Sequence, residues 1–193
     1  MHGLQLWIAL PEHARHGDAG FAHHPLVPAV RDGDATVTVV VGDISGVRSP
    51  AQVHTPLLGA EVTLPARARW RAPLRPDFEY AALVMTGGAD VAGSALPPGA
   101  LLYLGDGRTD LDVVAGTDTR LFLLGGEPFE EPLVMWWNFV GRSHEEVAAA
   151  RDDWAAGRRF GVVTGYDGDP LPAPAMPTTR LKARDRHGLT SSI

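Results

Sequence analysis

The sequence predicts an all-β protein, an antiparallel sandwich or barrel followed by one α-helix. Three observations carry this. Short apolar and β-branched stretches recur at a spacing of about ten residues. Glycine and proline, 22 and 16 of the 193 residues, separate these stretches. No helical periodicity lies between them, which disfavours the alternating strands and helices of a parallel α/β sheet.

Taken in order, Gly3 to Leu10 (GLQLWIAL) is a predicted strand within a first segment, residues 1–11, and Pro11 ends it because proline has no N–H for a ladder. Residues 12–34 are expected as a loop, being rich in His, Gly and Pro. A β-barrel is expected over 35–126. Its strands run from Ala35 to Val41 (ATVTVVV), Leu57 to Leu64, Phe78 to Thr86, Ala89 to Val91, Ala100 to Leu104, Leu111 to Ala115 and Thr119 to Leu124. Gly42, Pro65, Gly87-Gly88, Pro97-Pro98-Gly99 and Gly125-Gly126 punctuate them.

A C-terminal segment, 127–160, holds a helix over 143–156. Ser143 followed three residues later by Glu146 forms a capping box, and Glu145 and Glu146 suit the positive end of the helix dipole. Val147, Ala148, Ala150 and Trp154 give it an apolar side, and Gly157 a stop. Residues 161–193 are Pro-rich and then polar, and are expected to lie extended on the surface or disordered.

The net charge of −6 disfavours a nucleic-acid backbone as partner. The absence of Cys excludes disulfides, thiolate metal sites and cysteine nucleophiles. No apolar run reaches membrane-spanning length and no signal peptide is expected, so the chain reads as cytoplasmic.

Several groups of residues invite a chemical role. His13, His16, Asp18, His23 and His24 are the densest ionisable cluster, but the order Glu12-His13-Ala14-Arg15-His16 is not the HExxH of a zinc helix, and a solvated loop is expected. Ser45, in Gly42-Asp43-Ile44-Ser45-Gly46, lacks the spacing of a nucleophile elbow. Gly87-Gly88 and Gly93 form no phosphate loop. Glu127, Glu130 and Glu131 are expected as solvated acids, although paired carboxylates can do acid–base work. Trp136-Trp137, if extended, points to two faces; packing against the following helix is expected ahead of a ligand wall.

Gly3-Leu4-Gln5-Leu6-Trp7-Ile8 with Leu10-Pro11 resembles the central strand of the pirin family. Gly125-Gly126-Glu127-Pro128, Glu131-Pro132 and Asn138-Phe139-Val140 leading into Ser143-His144-Glu145-Glu146 resemble that family's C-terminal region. Residues 2 to about 160 thus resemble the second half of a pirin-like protein. The resemblance implies a bicupin, two antiparallel barrels in one chain, with an iron ion in the first barrel on three His and one Glu. It also implies quercetin 2,3-dioxygenase activity in some members and transcriptional co-regulation in others. The family's ligands lie upstream of the GLQLW strand, so none is carried over.

The second barrel can be compared with a metal-binding cupin directly. The position after Pro97-Pro98-Gly99 where a cupin has its last His is Leu102. Arg67, Arg69, Trp70 and Arg71 stand where an H-x-H pair would fall, and no His occurs between His54 and His144. Glu79 alone supplies an acid ahead of Gly87. The expectation is a barrel filled by side chains, with no catalytic, cofactor-binding or metal-ligating residue in this chain. The leading functional expectation is a non-catalytic C-terminal cupin half; the alternatives are a flavonol dioxygenase and a protein-interaction module. Residues 3–10, with Leu4, Leu6 and Ile8 on one side, are expected to mediate a homodimer.

Overall fold

Strands with alternate residues buried build the first of two units, Leu10–Phe129. The computed structural model describes residues 3–18 and 20–183. In chain order this unit contains β1 (Ala29–Asp32), β2 (Ala35–Val41), β3 (Asp43–Ile44), β4 (Val47–Arg48), β5 (Leu57–Leu64) and β6 (Arg69–Pro73). There follow β7 (Glu79–Thr86), β8 (Ala89–Val91), β9 (Ser94–Leu96), β10 (Leu101–Gly105), β11 (Asp110–Ala115) and β12 (Thr119–Gly126).

One sheet has the strand order β1-β2-β5-β12-β7-β10 and another β6-β11-β8-β9, with every pairing antiparallel. Ala35, Val37 and Val39 of β2 and Leu58, Ala60 and Val62 of β5 meet Trp70, Leu111 and Val113 of the second sheet in one core. The two sheets do not close into a continuous barrel; the architecture is a two-sheet sandwich of the cupin kind. Its core holds aliphatic side chains such as Leu111, Leu121 and Leu123, each worth about 1.5–3 kcal/mol on full burial. Gly42 turns the chain out of β2 with φ +75°, and a Cβ there would lie 1.8 Å from the Leu57 carbonyl oxygen, so no other residue fits.

Two expectations are corrected, and one longer strand is added to those read from the sequence. Residues 3–10 form no strand. Their alternation is that of a strand, but a strand exists only within a ladder, and among the described residues no sheet includes them. The expected loop 12–34 contains β1, whose ladder comes from β2 through the two-residue turn Gly33-Asp34, with Gly33 at φ +60°. Arg69–Pro73 is a strand too: Trp70 and Ala72 point into the core while the arginines alternate outward. The short β3, β4 and β9 also went unread, because two- and three-residue ladders have no period of their own.

The second unit combines Met1–Ala9 with Glu130–Ile193. It contains β13 (Val134–Trp136), β14 (Phe139–Gly141) and α1 (His144–Ala155). Ser143 is the N-cap: its Oγ accepts from Glu146 N at 3.2 Å, while Glu146 Oε2 accepts from Arg142 N at 2.9 Å. This is the expected cap, with the return bond displaced by one residue. Ala156 and then Gly157, at φ +66°, end the helix.

Val147 and Ala150 are buried with Val134 and Phe139, and Ala173, Met176 and Leu181 pack on this cluster. The described part of the tail, 161–183, has no regular structure but is held by polar bonds to the helix. Trp154 Nε1 donates to Leu171 O (2.8 Å), Arg151 Nε donates to Pro174 O (2.8 Å), and Arg180 pairs with Glu145 through both terminal nitrogens (2.5 and 2.9 Å). Residues 184–193 of the expected tail lie outside the described residues.

Candidate functional site

The interior of the sandwich is where a cupin holds its metal, so its lining decides what this unit can do. Leu102, on β10 opposite Ala82 of β7, is half-buried and packs on the core. Trp70 fills the space beneath β6 with 2% of its surface exposed. Its indole N–H donates to Asp32 Oδ2 at 3.0 Å, and Ser45 Oγ donates to the same oxygen at 2.7 Å. The Asp32 carboxylate thus accepts from both a buried indole and a half-buried hydroxyl.

The arginines of the same strand face away. Arg69 makes a two-point pair with Asp112 (2.6 and 2.8 Å), and Arg71 meets Asp110 at 3.0 Å, across the β6–β11 ladder. Hydrogen bonding from Arg71 holds the Asp110 carboxyl below its usual range. Arg67 lies in the turn before β6 at φ +66°. Glu79 opens β7 opposite Gly126, half-buried. A leucine, a buried indole and ion-paired guanidiniums do not fit a metal ion, which needs several nitrogen or carboxylate donors converging on one point.

The histidine-rich segment is not assembled into a site. Glu12–His16 is a turn, with Ala14 N and Arg15 N donating to Pro11 O at 2.9 and 3.0 Å. Glu12 pairs with Arg15 and lies 3.5 Å from His16 Nε2. Among the described residues no three His, Asp or Glu side chains are placed to share a metal ion. Nor do the glutamates after β12 form a pair: Glu127 lies 3.7 Å from Arg75, and Glu131 pairs with Arg142 at 2.5 Å.

Trp136 and Trp137 are not both extended. Trp136 ends β13, while Trp137 enters the tight turn to β14 at φ +50°. The Trp137 ring packs edge-on against Trp154 of α1 (centroids 6.1 Å apart), and Phe139 and Phe160 complete the aromatic group. This is the packing role expected from the sequence.

Sequence reasoning missed a cleft of ≈ 390 Å³ in the first unit. The β3–β4 hairpin and the loop to β5 form one side, and the turn before β7 forms the other. Arg75 is the prominent group: its guanidinium lies 4.2 Å from the Phe78 ring centroid and donates to Asp77 at 2.6 and 3.2 Å. Arg48 meets Asp43 at 3.0 Å. The signal available was composition alone, since these residues are up to 35 positions apart, from Asp43 to Phe78.

A two-sheet antiparallel sandwich with a jelly-roll-like core defines a cupin-class domain. Residues 59–161 match the model of the pirin C-terminal cupin domain, and the chain belongs to the pirin family. It is similar to a Pseudomonas aeruginosa protein whose name proposes it as a quercetin 2,3-dioxygenase, with 40% identity over 177 residues, covering 91% of this chain and 56% of that protein. A pirin-like protein of Caulobacter vibrioides is 30% identical over 161 residues, covering 82% of this chain and 55% of its own.

Among solved structures, quercetin 2,3-dioxygenase from Acinetobacter baumannii superposes with a TM-score of 0.86 at 38% identity, covering 92% of this chain and 59% of that one. The chain therefore spans little more than half the length of the relatives it matches. No helix among the described residues is long and apolar enough to cross a membrane.

Proposed function

We propose that this chain is a non-catalytic pirin-type cupin half that works in the cytoplasm, stabilising or covering a metal-bearing cupin half. The observation that supports it is the filled interior: Leu102 stands at the cupin histidine position, and Trp70 is buried beneath the adjoining sheet. In the family the iron belongs to the preceding half, so no cofactor is assigned to these residues. The purified chain is expected to hold no stoichiometric iron or nickel by elemental analysis and to turn over quercetin no faster than a metal-free blank. One equivalent of metal, with activity abolished by chelation, would reverse this reading.

The names of the relatives favour a second reading, in which the chain contributes to a flavonol dioxygenase. Those proteins are much longer than the stretch matched here, and the second reading requires a metal-bearing half beside this one. Adding a separately made metal-bearing half and finding activity that depends on this chain would support it.

We also propose a homodimer through residues 3–10. Leu4, Trp7 and Ile8 expose 39, 53 and 49% of their surfaces, an apolar group that association would cover. Sedimentation of the intact chain and of a form lacking residues 1–11 compares the two. A monomer in both at about 50 μM, a range in which weak interfaces already populate dimers, eliminates the dimer.

A further inference from the structure

The cleft beside Arg75 has a composition that packing alone does not require. Two arginines line it beside His54, each already ion-paired: Arg48 with Asp43, and Arg75 with Asp77 and, at 3.7 Å, Glu127. Beside the charges lie Val53, Pro56, Leu57 and the Phe78 ring. Sites for small molecules combine such an apolar lining with a few fixed polar groups, at volumes of about 300–1,000 Å³.

The arginines also keep donors to spare. Arg48 donates to Asp43 through one terminal nitrogen. Arg75 uses Nε and one terminal nitrogen on Asp77, and the Phe78 ring beneath it fixes the plane of the group. A guanidinium has five N–H donors, so each retains N–H groups for an incoming acceptor. A bidentate acceptor of matching geometry is a carboxylate or a phosphate. The apolar residues separate these two, because inorganic phosphate has nothing with which to cover Val53 and Leu57.

We propose that this cleft binds a small carboxylate with an apolar or aromatic body, its charge on Arg48 and Arg75 and its body on Val53, Leu57 and Phe78. The site lies outside the sandwich interior and does not depend on whether that interior is catalytic.

The test titrates benzoate into the full chain, following heat by calorimetry and the Val53 and Leu57 methyl signals by NMR. Benzyl alcohol supplies the ring without the charge, and inorganic phosphate the charge without the ring. Benzoate is expected to bind with Kd below about 1 mM and to shift both methyl signals, with benzyl alcohol and phosphate weaker by at least about tenfold. Arg48→Gln, at a side chain 81% exposed and so neutral for folding, is expected to weaken benzoate by about tenfold. Absence of methyl shifts at about 10 mM benzoate, equal binding of benzyl alcohol, or an unchanged affinity in Arg48→Gln each overturns the proposal.

Discussion

Replacing Trp70 tests the argument that the sandwich interior is a packed core. The indole, on β6, is 2% exposed and belongs to the largely aliphatic core cluster. Trp70→Ala removes the ring and leaves a cavity, at a cost of about 3–5 kcal/mol. The change also takes the indole donor from Asp32, although Ser45 still donates to that carboxylate at 2.7 Å. Trp70→Phe keeps most of the apolar volume and loses the same hydrogen bond, which to a charged acceptor is worth about 1.5–3 kcal/mol. Asp32→Ala orphans the buried N–H from the other side, at about 1–3 kcal/mol.

Because Trp70→Phe and Asp32→Ala break one shared bond, the double variant is expected to lose less than their sum, by about 1–2 kcal/mol. Urea titrations followed by far-ultraviolet circular dichroism measure the four variants against the native chain. For a domain whose total stability is about 5–15 kcal/mol, the Trp70→Ala loss is large enough to read directly. A Trp70→Ala loss under about 1 kcal/mol at unchanged m-value would show that the ring fills no core. Strict additivity of the other two would show that the 3.0 Å contact carries no energy.

Two further outcomes concern the second unit. Ser143→Ala removes the cap oxygen that accepts Glu146 N and is expected to cost about 1 kcal/mol, while Trp154→Ala, which takes a ring from Trp137 and Phe160 and a donor from Leu171, is expected to cost about 3 kcal/mol; thermal unfolding ranks them, and equal, negligible losses would show that α1 is not docked. Hydrogen bonding from Arg180 holds Glu145 below its ordinary value of 4.5, so the contribution of this pair is present above that value and is lost as pH falls through the lowered one. The protection of tail amides around Leu181, taken relative to their intrinsic exchange rate at each pH, is therefore expected to fall in acid in the native chain and to change little over the same window in Glu145→Gln.

Much of this protein was decided by local pattern. The alternation in ATVTVVV, the glycines that stop it and the Ser143–Glu146 pair act over a few residues, and such signals survive without knowledge of the partner strand. The motifs around GLQLW and the segment before α1 pointed to the pirin family on the same ground, because a spacing is a property of the chain. What needed the tertiary structure was every feature made by pairing. Residues 3–10 carry strand periodicity and form no strand, whereas Ala29–Asp32 lacks it and is a strand because β2 supplies the ladder. Leucine at 102 could be read as a missing ligand from sequence, but that Trp70 and Asp32 meet at 3.0 Å across 38 residues could not. Nor could the cleft that gathers Arg48, His54 and Arg75, since its charges come from separate turns. A hydrogen bond or a charge cluster depends on distance in space, and only the folded backbone sets that distance.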